Sequence, residues 1–200
     1  MLNRITPYFS SPIIECEIKE NTDKLKEEVS YIKSDKQGGS NSNEYRVLEK
    51  YPRIKKILLN EFKTIATNQF QYNHDFAIST SWITVTEKGE DCQFHCHHNS
   101  FYSGVYYFDE YNENCAQIEF LNPLHHHSDF HLIGQDHTLY NLRSAVYTPK
   151  KDLLLFFPSY LFHGIQLHND DSIRKSLAFN IVPIGEYGEH DSRYNTSWIR

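Results

Sequence analysis

The chain has 200 residues, with 20 Lys and Arg against 26 Asp and Glu, a formal net charge of -6 and 39% hydrophobic residues. That length fits one domain and is short for an eight-fold β/α barrel, the acidic balance argues against a surface built for nucleic acid, and no apolar run reaches the roughly 18 residues of a membrane span. The N-terminus lacks the apolar stretch of a secretory signal, and the four cysteines (Cys16, Cys92, Cys96, Cys115) are too sparse for a disulfide scaffold, so a cytoplasmic chain with reduced thiols is expected.

Residues 1–19, with Pro7 and Pro12, read as an extended segment. Asn21 or Thr22 is placed to cap a helix running to about Ile32, with Leu25, Val29 and Ile32 on one face. Ser34 to Asn43 is a loop by composition. Pro52 suits the first turn of a second helix to about Phe70, whose apolar stripe is Ile54, Ile57, Leu58, Phe62 and Ile65. From about Phe76 the period changes to two, or to continuous apolar runs. Strands are predicted over 77–86, 101–108, 116–121, 144–148, 153–157, 161–167 and 175–183, a density that points to a sandwich or closed barrel. The polar stretch 122–143 reads as a long lid or binding loop. The expected fold is mainly β, with the two helices outside it. The expected divisions are 1–75 for the N-terminal strand and helices, 76–184 for the β core and 185–200 for a C-terminal tail.

The chemistry-bearing residues fall inside that β region. No GxGxxG, P-loop, GxSxG, HExxH or paired CxxC motif occurs. Of the 12 histidines, most lie between His95 and His163, and histidine is the commonest metal ligand. His95 and His97 are two residues apart, so on an extended strand both face one side. His163 follows the apolar run Leu153–Phe157 and Pro158; alone it reads more readily as a core histidine, but with His95 and His97 it becomes a third ligand. Three protein ligands leave positions open, as catalytic metal sites do. On the strand from Arg174, alternation places Arg174, Ser176, Ala178 and Asn180 on one face and Leu177, Phe179 and Ile181 on the other. An inward Arg beside a Ser suits a carboxylate.

Taken in order, these residues resemble the Fe(II)- and 2-oxoglutarate-dependent oxygenases built on a double-stranded β-helix, a jelly-roll or cupin-like fold. Within that family the chain is similar to a small group from marine bacteria and their phages. The resemblance is carried by Tyr8-Phe9 to Ile13, Ser81-Trp82-Ile83, Gly89, His95 to Ser100, Ser103 to Tyr107, Ile118 to Pro123, Phe157-Pro158-Ser159, His163, and Arg174 to Asn180. It implies an iron held by His95, His97 and His163, with His97 standing where most of the superfamily has a carboxylate. It also implies 2-oxoglutarate with its distal carboxylate on Arg174 and Ser176, assisted by Tyr106, and a pocket lined by Asn180, Asn99 and Trp82. The implied reaction oxidises a substrate C–H bond, with succinate and CO₂ as coproducts. A small molecule or peptide is the expected substrate, and a homodimer the default assembly. Three readings stay open beside it: a three-His cupin dioxygenase that uses no 2-oxoglutarate, a non-catalytic cupin, and a zinc module using Cys92, His95, Cys96 and His97, completed by Cys115 or the run His125–His127.

Overall fold

The computed structural model describes residues 6–7, 9–27, 30–33, 38–124 and 136–197. Its elements are β1 (Ile14–Glu17), α1 (Asp23–Lys26), β2 (Tyr31–Lys33), β3 (Ser40–Ser42), α2 (Pro52–Asn68), β4 (Asp75–Thr86), β5 (Cys92–His95), β6 (Tyr102–Tyr106), β7 (Ile118–Leu121), β8 (Ser144–Tyr147), β9 (Leu153–Pro158), β10 (His163–Ile165), β11 (Arg174–Ile184), β12 (Glu186–Tyr187) and β13 (Tyr194–Asn195). Seven strands form a large sheet in the order β1-β9-β6-β11-β4-β3-β2, and four form a small sheet, β5-β10-β7-β8. Every strand pair in both is antiparallel.

The large sheet is buried on both faces, which explains the uninterrupted apolar run of β9. Leu154 and Phe156 pack with Tyr102, Tyr106, Leu177, Phe179 and Ile181 against α2. Leu153, Leu155 and Phe157 point the other way and join Val105, Tyr107, Ile118 and Phe120 between the sheets. The predicted second helix forms as expected, with Pro52 in its first turn and Ile54, Leu58, Phe62 and Ala66 buried at spacings of four. Phe62 anchors it, its ring 5.1 Å from those of Phe76 and Tyr102 and 5.4 Å from that of Phe156. A buried Phe of this kind contributes about 1.5–3 kcal/mol.

Two local expectations are corrected. The first helix stops after Lys26, and Tyr31–Lys33 is a strand paired with β3. Thr22 does not cap that helix; its hydroxyl donates to Phe108 O at 2.9 Å and ties the segment to the barrel. Glu27 is extended, and the edge of the large sheet takes the chain that follows; Val29 lies outside the described residues. The Ser34–Asn43 loop likewise contains a strand, Ser40–Ser42, because β4 offers it a free edge at Thr84 and Val85. Beyond β11, the expected tail contains the small ribbon β12–β13. The His125–His127 run and residues 125–135 of the 122–143 loop fall outside the described residues.

Candidate active site

The large sheet's inner face and the edge of the small sheet meet around three histidines. His95 ends β5 and His163 begins β10, and the two are directly paired across the strands. Gly164 permits this approach, since a Cβ there would lie 2.7 Å from Cys92 O on β5. His97 lies past the end of β5 rather than on a continued strand. Its position is set by its own N–H donating to Ser159 O at 2.9 Å, so the expectation of one strand presenting both histidines is replaced by a strand end and a tethered turn. Side-chain nitrogens of His95, His97 and His163 all lie within 4.8 Å of one another.

The outer ring nitrogens fix how these imidazoles are protonated. His95 Nδ1 lies 2.8 Å from Gln93 O and His163 Nδ1 lies 2.9 Å from Leu161 O. A carbonyl oxygen can only accept, so in both rings Nδ1 carries a proton, which leaves Nε2 as the nitrogen able to ligate. His97 Nδ1 lies 2.6 Å from Asn180 Oδ1, and its Nε2 is 3.3 Å from His95 Nε2. Three lone pairs therefore converge. Burial pushes the His97 imidazole down to about 4, opposed by the Asn180 hydrogen bond and reinforced by His95. Burial, with His95 adding to it, pushes His163 down to about 3. Both rings are neutral at pH 7, the form that binds a divalent metal.

A cavity of about 250 Å³ runs from this triad to Arg174, with Ser176 and Ala178 on its floor, Val105, Ile118 and Phe157 on its walls, and Trp82, Tyr45 and Asn41 also lining it. The alternation read from the sequence holds: Leu177, Phe179 and Ile181 face α2 and Arg174, Ser176 and Ala178 face the cavity. Arg174 is only 1% exposed. Its Nε donates to Ala116 O at 3.1 Å, Nη1 to Ser176 Oγ at 3.3 Å and Nη2 to Tyr107 Oη at 3.0 Å, and its guanidinium lies 5.3 Å from the Tyr107 ring centre. None of the ion pairs among the described residues includes Arg174. A guanidinium has five N–H donors; three are engaged here, which leaves two. Unpaired burial of such a charge costs several kcal/mol, so the arrangement is built for an incoming anion.

Three expectations about side chains change. Tyr106 is on the wrong face: it packs against the α2 side and its hydroxyl donates to Ile18 O at 3.0 Å. The tyrosine at the arginine is its neighbour Tyr107, which the sequence reading missed although the period of two on β6 points Tyr107 inward with Ser103 and Val105. Asn180 does not line the cavity; it stands behind His97, on the side away from the other two histidines' Nε2 atoms. Asn99 lines an adjoining groove with Phe70, Tyr72 and Tyr160, which shares His97 with the cavity. Trp82 does border the metal end, its ring 5.5 Å from that of His97. No cysteine joins the triad, the one group of three metal-capable side chains found among the described residues.

The family model described as "Putative 2OG-Fe(II) oxygenase" matches residues 80–180, half of the chain, including His95, His97, His163, Tyr107, Arg174 and Ser176. The chain belongs to this family, and it is an Fe(II)- and 2-oxoglutarate-dependent oxygenase on a double-stranded β-helix. Solved structures agree on the fold. HygX from Streptomyces hygroscopicus, determined with nickel and 2-oxoglutarate bound, is 12% identical, with 95% of this chain and 90% of that one covered at a TM-score of 0.62, and it is also known with hygromycin B bound. The α-ketoglutarate-dependent epimerase SnoN from nogalamycin biosynthesis is 8% identical over 90% and 82% of the two chains, TM-score 0.61. A prolyl hydroxylase from Trichoplax adhaerens in complex with a peptide fragment is 14% identical over 75% and 66%, TM-score 0.51. No curated protein matches the sequence.

Proposed function

We propose that His95, His97 and His163 hold the iron and that Arg174, Ser176 and Tyr107 hold the distal carboxylate of 2-oxoglutarate. The observation that carries this reading is the pairing, in one cavity, of three converging imidazoles with a buried guanidinium that has no carboxylate partner among the described residues. When bound, iron and 2-oxoglutarate supply the oxidising power that cleaves a substrate C–H bond, with succinate and CO₂ as coproducts. The chain's own work is positional. The Nδ1 hydrogen bonds of His95 and His163 aim their Nε2 atoms at one point. The two spare N–H groups of Arg174 form a fork matched to a carboxylate. Val105, Ile118 and Phe157 wall the space between and keep it poor in water. Substrate enters past Trp82, Tyr45 and Asn41, and a small molecule or a peptide segment suits such a mouth. Residues 76–184 form the oxygenase core of a single domain.

A three-His dioxygenase without 2-oxoglutarate gains nothing from Arg174, and a zinc module finds no thiol among the converging ligand atoms of the described residues, since Cys92 Sγ meets His95 at its Nδ1, 3.8 Å away. The direct test of the ligand set is iron stoichiometry. Native protein reconstituted anaerobically is expected to hold about one Fe(II) per chain, and His163→Ala to lose stoichiometric binding while keeping its circular dichroism. Full occupancy in a folded His163→Ala protein would refute the assignment.

A further inference from the structure

The site contains a second feature, a part-buried hydrogen-bonded chain behind His97. Asn180 Nδ2 donates to Thr80 Oγ1 at 2.9 Å, which turns Asn180 Oδ1 toward the site. That oxygen accepts from Ser103 Oγ at 2.9 Å and lies 2.6 Å from His97 Nδ1. With the Ser103 proton directed at Asn180, the 2.8 Å contact between Ser103 and Ser159 Oγ makes Ser159 the donor. Ser103 and Ser159 are both fully buried, and Ser159 also supplies the carbonyl that fixes the His97 backbone. An sp² oxygen has two lone pairs; Ser103 fills one of those on Oδ1, and the other is presented to His97 Nδ1.

We propose that Asn180 is the positioning residue that makes His97 a metal ligand. The inference rests on the reading of His95, His97 and His163 as the iron site. His95 and His163 are steered by main-chain carbonyls of their own segments, at Gln93 and Leu161. Among the described residues His97 has no such local carbonyl among its ring contacts; its Nδ1 meets the side chains of Asn180 and Ser103. A carboxylate ligand offers lone pairs in any rotamer, whereas an imidazole ligates only if its proton sits on the far nitrogen. Asn180 removes that ambiguity: an amide oxygen locked by Thr80 and Ser103 can receive a proton but cannot give one. It selects the Nδ1–H tautomer, orients the ring and leaves the Nε2 lone pair facing His95 and His163. Groups holding the outer nitrogen of a metal-bound histidine commonly change metal affinity 10–100-fold when removed. The extended register explains why this residue falls to β11, since Asn180 pairs with Thr80 on one side and Ser103 on the other.

The test uses Co(II) as a spectroscopic stand-in for Fe(II), titrated into metal-free native protein, Asn180→Leu, Asn180→Asp and His163→Ala, with circular dichroism of each. Asn180→Leu keeps the side chain's size and removes the acceptor. It is expected to bind Co(II) about 10–100-fold more weakly, with altered visible d–d bands, because His97 is no longer held in one tautomer. Asn180→Asp keeps the acceptor and adds charge; it is expected to bind at least as tightly as native protein and to release cobalt more slowly. Native affinity and unchanged bands in Asn180→Leu would overturn the proposal. Weaker binding than native in Asn180→Asp would overturn it too, and this arm decides alone if the leucine variant does not fold. Failure of the underlying site reading looks different: His163→Ala would then bind Co(II) as native protein does, whatever the Asn180 variants show.

Discussion

At the scale of single residues, the site combines groups that are individually costly to bury. His163 is 6% exposed and its imidazole sits at about 3, well below its ordinary value, through burial and the nearby His95. In the unfolded chain the same ring takes up a proton near pH 6.5. Between those values the unfolded state binds more protons than the folded state, so stability rises with pH and is lost as pH falls from about 6.5. Metal-free protein is therefore expected to be less stable at pH 5 than at pH 7.5, by about 2 kcal/mol from His163 alone. Urea midpoints of native protein and His163→Leu, measured at both pH values, check this: the native midpoint should fall more than that of the leucine variant. Equal shifts in the two would contradict it.

Element geometry converts those residues into a cavity. On β11, Arg174 and Asn180 stand six residues apart, about 20 Å along an extended strand, with Ser176 and Ala178 between them on the inner face. Ala178 keeps the floor open between metal and guanidinium. Ala178→Leu is expected to weaken 2-oxoglutarate binding at least about tenfold, or 1.4 kcal/mol, by filling that space, while Fe(II) stoichiometry stays native. Calorimetric titration of the iron-loaded protein with 2-oxoglutarate, kept anaerobic, measures both effects. Unchanged affinity would mean that the cosubstrate does not lie along β11.

Much of this was legible in the sequence because the period of two is unforgiving. A one-residue slip would exchange Arg174, Ser176 and Asn180 for Leu177, Phe179 and Ile181, so the apolar set alone identified which face holds polar groups. The same rule applied to β6 separates Tyr107 from Tyr106; the family resemblance had pointed to Tyr106, and the strand's geometry corrects it. What could not be read were features made by distant partners. The amphipathic pattern after Asn21 suits a helix, but Tyr31–Lys33 is claimed by β3 and becomes the edge of the large sheet, and no local signal announces that competition. Asn180 was visible as an inward residue, yet its place behind His97 depends on a contact across 83 residues.

At the scale of the whole molecule, two layers of apolar packing hold the large sheet. One lies against α2 and the other faces the small sheet. The inner layer is interrupted where the triad, Ser103 and Arg174 stand, so a polar cavity is carried by a frame that is apolar around it. The central claim is that metal and cosubstrate share this one cavity, with Arg174 as the cosubstrate's anchor. The most direct measurement is an anaerobic titration of Fe(II)-loaded protein with 2-oxoglutarate, followed by the visible metal-to-ligand charge-transfer band, in native protein and in Arg174→Met. The methionine keeps much of the side chain's bulk and removes its charge. The account predicts a saturable band in the native protein, and in Arg174→Met a band that needs far higher 2-oxoglutarate, with Fe(II) binding unchanged. No band in iron-loaded native protein, or the same titration curve in both proteins, would contradict it.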